Sequence, residues 1–234
     1  MENLKIKIID LLKSTKREGI DDLIKYLEAE KFFKKPASIN HHSNFDGGLA
    51  YHSYKVYQNF KSLNDANGTN IPEESIIITA FLHDLCKLDD YIEGPGQMPS
   101  EKQLDYLKSL LSRHNKTLSN QLDQLGRSQV SDLIGWLKNN PEQPEPEFEK
   151  VWDYNPSKEI PLNHAEKSII MASRFIKLEM REILAIRYHM GSWDDSLNYK
   201  DYNKANQLYP DVKLIAIADE LATFQENWVD DQKQ

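Results

Sequence analysis

Five residues of this 234-residue chain set a metal-binding or proton-handling side chain into a stretch that should otherwise be apolar. His52 falls on a helical face with Val56, Phe60 and Leu63. His83 and Asp84 interrupt IIITAFLHDLCKL, where Ile76, Ile77 and Ala80 share one side. His189 follows ILAIRY, one turn after Ala185 and Ile186, and Asp219 interrupts LIAIADELATF. A carboxylate buried without a partner carries a heavy desolvation cost. Two carboxylates and several imidazoles on such faces are most simply explained by shared divalent metal ions. Imidazole-dominated donors favour Mn, Fe, Co, Ni or Zn over Ca. The single cysteine, Cys86, excludes a disulfide framework and any zinc site of paired thiolates.

The elements that must position these residues read as helices. Ile6, Ile8, Ile9, Leu11 and Leu12 form one apolar face, and Leu23, Tyr26 and Leu27 repeat the pattern. Phe32-Phe33 and Pro36-Ala37-Ser38 lead into a loop. Gly47-Gly48 then precedes the helix of His52, which Asn67-Gly68 ends. The pattern predicts further helices over 73–88, 163–178, 182–190 and 211–224, with Pro210 where a first turn tolerates it. No run alternates with period two, so the expected class is all-α, a helical bundle.

The middle of the chain reads differently. EGPGQMPS (93–100) and NNPEQPEPEFEK (139–150) are two proline-rich linkers. Between them Ser100 and Gln103 can form a capping box, Leu104, Leu107 and Leu111 mark one helix, and Val130, Leu133, Ile134 and Leu137 mark a second. The expected organisation is therefore a first part over 1–95, an inserted two-helix module over 96–142 and a second part over 143–234. With 29 Lys and Arg against 37 Asp and Glu, the net charge is −8. An acidic chain without a basic block argues against long nucleic acid as a partner. No stretch approaches the roughly 18 apolar residues of a membrane span, the start does not read as a signal peptide, and near-absence of cysteine suits a cytoplasmic location.

GGLAYHSYKVY, FLHDLCK and IAIADELA together resemble the HD-domain superfamily of metal-dependent phosphohydrolases, whose ligand order is H … HD … D. YLEAEKFFKKPASINHHSNFDGGL and IPLNHAEKSII … LAIRYHMGSWD resemble a bacterial and phage subgroup with six ligand positions, and add His164 and His189. The resemblance covers roughly residues 20–92 and 150–225. It implies that His52, His83, Asp84 and Asp219 hold a first metal, and that Asp84 bridges to a second held also by His164 and His189. Asp84 and Lys87 would be catalytic. Lys87 completes the HDxxK pattern, in which the lysine contacts phosphate or the attacking water, and Cys86 stands where many relatives carry glycine. Arg187 is expected as a further phosphate contact and His42 as a lining residue. Trp193 and the tyrosines 51, 54 and 57 are expected to pack in the core. No GYP motif is present, which sets the cyclic-di-nucleotide HD enzymes aside. The implied activity is hydrolysis of a phosphate ester of a nucleotide or short oligonucleotide by metal-activated water, with a small phosphorylated molecule as partner. A 3′–5′ exonuclease, or a nucleotide-sequestering protein without turnover, are the alternatives.

Overall fold

Apolar side chains at three- and four-residue spacing need a surface to pack on, and in the computed structural model they find it on other helices. The structure describes all residues except 40, 95–97, 120–121, 123–124, 147–150, 156, 195 and 232–234, and of 128, 151 and 227–231 the backbone alone. In chain order the elements are α1 (Glu2–Ser14), α2 (Ile20–Ala29), α3 (Gly48–Asn67), α4 (Glu73–Leu82), the single turn α5 (Lys87–Asp90), β1 (Tyr91–Gly94), α6 (Glu101–His114), α7 (Arg127–Asn139), β2 (Val151–Tyr154), α8 (His164–Ser173), α9 (Met180–Arg187), α10 (Tyr199–Leu208) and α11 (Asp211–Asp231). The class is all-α. The chain divides into two compact units, Met1–Asp90 with Ser157–Gln234, and Tyr91–Pro156.

In the first unit, α11 lies along α3, α4 packs on α3, and α9 packs on α11, α8 and α4. Their shared core contains Leu49, Val56, Phe60, Ile76, Ile78, Phe81, Ala185, Ile186, Ile215, Ala218 and Ala222. Every residue of α4 from Ser75 to Leu82 is buried, which explains a helix with no polar side. Ile8 and Leu12 of α1 reach this core, whereas Ile6 is half exposed.

Three helices end earlier than their apolar patterns do. The run expected over 73–88 stops as a helix at Leu82, the one over 163–178 at Ser173, and the one over 182–190 at Arg187. Tighter three-residue bonds take over after Leu82, from Leu85 to Leu82 (3.2 Å) and from Lys87 to Asp84 (3.1 Å).

The second unit holds the Ser100–Gln103 capping box at the start of α6. Leu107 and Leu110 of α6 pack with Val130, Leu133 and Leu137 of α7 in a core of their own. Strands β1 and β2 pair antiparallel, with Tyr91 opposite Tyr154 and Gly94 opposite Val151. At four residues each they are too short for alternation to reveal. Parts of both expected linkers, 95–97 and 147–150, lie outside the described residues. Among the described residues no helix is long and apolar enough to cross a membrane.

Candidate metal centre

His83 and His189 sit just beyond the last turns of α4 and α9, and the same local device puts both there. The Nδ1–H of His83 donates to Ala80 O at 2.8 Å, and that of His189 to Ile186 O at 2.7 Å. In an unbroken helix those carbonyls would accept from the amides of residues 84 and 190. The imidazole therefore takes the place of a main-chain bond and helps end its own helix. A carbonyl can only accept, so Nδ1 carries the hydrogen, and in the neutral ring Nε2 keeps its lone pair. Both rings are buried and lie against each other, with centroids 5.0 Å apart.

Around this pair the fold gathers the other candidates. His52, from α3, brings Nε2 to within 3.0 Å of Asp219 Oδ1 on α11, and His83 Nε2 lies 3.9 Å from Asp84 Oδ2 and 4.0 Å from Asp219 Oδ1. His189 Nε2 lies 3.8 Å from Asp84 Oδ1 and 3.3 Å from Nε2 of His164, the first residue of α8. The side chain of Asn163 caps that helix by accepting from the Glu166 amide at 3.2 Å. Ligand atoms fall into overlapping groups within 4.8 Å of one another: His52, His83 and Asp84; His83, His189 and Asp219; Asp84, His164 and His189. Asp84 belongs to two of the three.

The donors fit a divalent cation. Nε2 of His52 and of His83 are buried and make no aligned hydrogen bond, despite the carboxylate 3.0 Å from His52. A nitrogen and a carboxylate oxygen that converge without aligning for a hydrogen bond suit two ligands facing one ion. The 3.3 Å between the Nε2 atoms of His164 and His189 likewise suits two donors on one ion at bonds of about 2.1 Å.

The electrostatics agree. Burial opposes ionisation of Asp84, yet Lys87 and then the imidazoles of His83, His189 and His164 hold its carboxyl well below the ordinary range. Burial opposes Asp219 in the same way, and His52 overcomes it. Burial works against charge on His52, but the carboxylates of Asp219 and Glu226 close beside it raise its pKa to about 10. Burial and then His83 push His189 down to about 4, which leaves it neutral near pH 7. Two ionised carboxylates, Asp84 and Asp219, thus face the neutral imidazole of His189.

Of the remaining candidates, His42 lies over His52, with ring centroids 4.7 Å apart and a buried Nε2 that has no hydrogen-bond partner. Lys87 is half-buried and is the first electrostatic support of Asp84. Arg187 is engaged with Glu166 and Asp194, each at 2.7 Å, and lies over the Tyr188 ring. Cys86 is fully buried, and burial drives its thiol far up, so it is inert. Tyr57 is buried in the core cluster and Tyr54 packs against it.

Trp193, expected in the core, is instead 74% exposed. It ends the tight turn Gly191–Trp193. Gly191 is buried against α11 at φ +53, a conformation that favours glycine. The turn thus packs by its backbone and leaves the indole outside.

Glu226 is the residue that the sequence patterns did not single out. It is 6% exposed, accepts from His52 Nδ1 at 3.1 Å and from the Ser43 hydroxyl at 2.6 Å. Its only signal is its place two helical turns after Asp219, in a stretch whose polar residues read as a solvated helix end.

No family model matches the chain, and no solved structure matches it. Among curated proteins it is similar to the dihydroneopterin 2',3'-cyclic phosphate phosphodiesterase of Methanocaldococcus jannaschii, with 34% identity over 97 residues. That match covers 39% of this chain, and the chain spans 37% of the length of that relative.

Proposed function

We propose that this chain is an HD-type phosphohydrolase that cleaves a phosphate ester of a small, nucleotide-like molecule with water as the nucleophile. The observation that carries this reading is the convergence of His52, His83, Asp84, His164, His189 and Asp219 in overlapping ligand groups, with His52, His83, Asp84 and His189 buried. Similarity to a phosphodiesterase that acts on a cyclic phosphate supports the reaction class and favours a phosphodiester of a heterocycle-bearing molecule.

His52, His83, Asp84 and Asp219 would hold one divalent ion, and Asp84, His164 and His189 a second. Bound there, such ions polarise phosphoryl oxygens and make water nucleophilic near neutral pH. The chain's own groups do the rest. Asp84, ionised and placed between the two ligand sets, orients the water and accepts its hydrogen bond. Lys87 neutralises charge that builds on the phosphoryl oxygens. His42 offers its unpartnered Nε2 to the substrate. Arg187, held by two carboxylates, secures the start of α8 against α9 and serves the phosphate indirectly. The water oxygen joins phosphorus, one ester P–O bond breaks, and a phosphomonoester with a released hydroxyl results.

The test is a substrate panel with Mn²⁺ or another divalent ion: bis-p-nitrophenyl phosphate, nucleoside 2',3'-cyclic phosphates and labelled oligonucleotides. His83→Ala and Asp84→Ala are the controls. Wild type is expected to hydrolyse the small diesters, and each variant to lose at least ~100-fold in turnover together with bound metal. Turnover that survives in both variants overturns the reading. Stepwise 3′ shortening of oligonucleotides in preference to small diesters would make the chain an exonuclease. Tight nucleotide binding without turnover would make it a sequestering protein.

A further inference from the structure

We infer that Glu226 is a positioning residue that aims His52 at the metal centre and, with its other oxygen, anchors the loop carrying His42. The inference rests on the metal centre proposed above and adds a residue outside its ligand set.

The two carboxylate oxygens have separate tasks. Oε1 accepts from His52 Nδ1 at 3.1 Å, which fixes the hydrogen on that nitrogen and turns Nε2 toward Asp219, 3.0 Å away. Oε2 accepts from Ser43 Oγ at 2.6 Å. Glu226, His52 and Ser43 are 6%, 1% and 3% exposed, so water competes for none of these bonds. Glu226, His52 and His42 also lie close enough to form a ligand group of their own. With both oxygens of Glu226 already accepting, however, an outer position fits better. A carboxylate behind a metal-binding imidazole sets its tautomer and raises its basicity.

The loop side is equally constrained. Ala37 N donates to Ser43 O (3.2 Å), Gly47 N to Lys34 O (2.7 Å) and Leu49 N to Lys35 O (2.9 Å), which folds residues 34–37 and 43–47 back on the start of α3. Ser43 adopts φ +48, a left-handed conformation that a non-glycine residue holds only where its surroundings dictate it. The hydroxyl so placed meets Glu226, and the neighbouring residue, His42, comes to rest over His52. One side chain from α11 thus sets both a ligand and a substrate-facing group.

Glu226→Ala, Glu226→Gln and Ser43→Ala separate these tasks. Metal affinity, read by competition with a chromophoric chelator, should fall about 10- to 100-fold in Glu226→Ala. It should be largely retained in Glu226→Gln, whose amide carbonyl still accepts from Nδ1–H. Ser43→Ala should keep wild-type metal affinity yet raise KM for bis-p-nitrophenyl phosphate roughly 2- to 10-fold, the effect of one lost hydrogen bond. Nitrogen-15 spectra of the metal-free protein should show His52 Nδ1 protonated in wild type and Glu226→Gln, and no longer fixed in Glu226→Ala. Circular dichroism must show all three folded, and Glu226→Gln serves if the alanine variant is not. Unchanged affinity and an unchanged His52 signal in Glu226→Ala overturn the inference, as does a glutamine variant as impaired as the alanine one. If wild type takes up no metal, the proposed centre fails, while the nitrogen-15 comparison still decides the His52–Glu226 contact.

Discussion

His83 and His189 show how one side chain can shape the backbone and serve chemistry at once: the nitrogen that ends the helix also fixes which nitrogen faces the centre. Arg187 illustrates a residue whose type suggests phosphate but whose partners suggest support. Its side chain is 20% exposed between Glu166 and Asp194. Arg187→Ala is expected to lower stability by about 1–2 kcal/mol, more than an exposed pair would, with the loss read from thermal melts. Arg187→Lys should restore only part, since one ammonium cannot span both carboxylates as the planar guanidinium does. Tyr26 and Tyr57 give a pH signature. Burial, assisted at Tyr57 by the bond to Glu73, raises both phenols to about 12. The folded state disfavours their ionised forms, so their contribution to stability is intact below about pH 10 and is lost as pH climbs from 10 toward 12. Absorbance titration at alkaline pH should show two phenols, lost in Tyr26→Phe and Tyr57→Phe, ionising near pH 12, in step with falling stability. At this scale the sequence revealed His52, His83, Asp84 and Asp219, because a polar residue within an apolar run is conspicuous. Glu226 stayed hidden because its surroundings are polar and only the fold buries it.

The helices that place these residues were legible from periodicity, but their ends were not. The run from Ile76 to Leu88 keeps a helical apolar pattern around Thr79, His83, Asp84 and Lys87, and what breaks it is a side-chain bond from His83 to Ala80, which no hydropathy pattern encodes. Nor did the strand pair show, because four residues give alternation too little room. The junction of the 34–47 loop with α3 carries an element-scale prediction. A Cβ on Gly48 would lie 1.9 Å from Ser43 O and 3.2 Å from Ala37 N, both main-chain atoms. Gly48→Ala must therefore push the loop off the helix. The expected cost is about 2–3 kcal/mol, the upper range for overpacking, seen as a lower melting midpoint. KM for bis-p-nitrophenyl phosphate should also rise while metal affinity holds, since Ser43 would be carried away from Glu226 and His42 with it.

At the scale of the whole molecule, the two units have separate cores, one around α3, α4, α9 and α11 and one between α6 and α7. Replacing residues 91–154 with a short flexible linker is expected to leave a folded remainder that binds metal, checked by circular dichroism, a cooperative melt and metal analysis. An aggregated or unfolded remainder would show the second unit to be essential to the first. The strand pair is what makes such surgery plausible. Tyr91 faces Tyr154, so the chain departs and returns at points about 5 Å apart. Shortening that excursion to a few residues lowers the loop-closure cost by about 2 kcal/mol. Closed by this strand pair, the segment 91–154 is a hairpin bend of unusual length. That bend is a socket: another domain whose termini lie side by side, a fluorescent reporter for instance, could be spliced there without altering the chain's path through the metal centre.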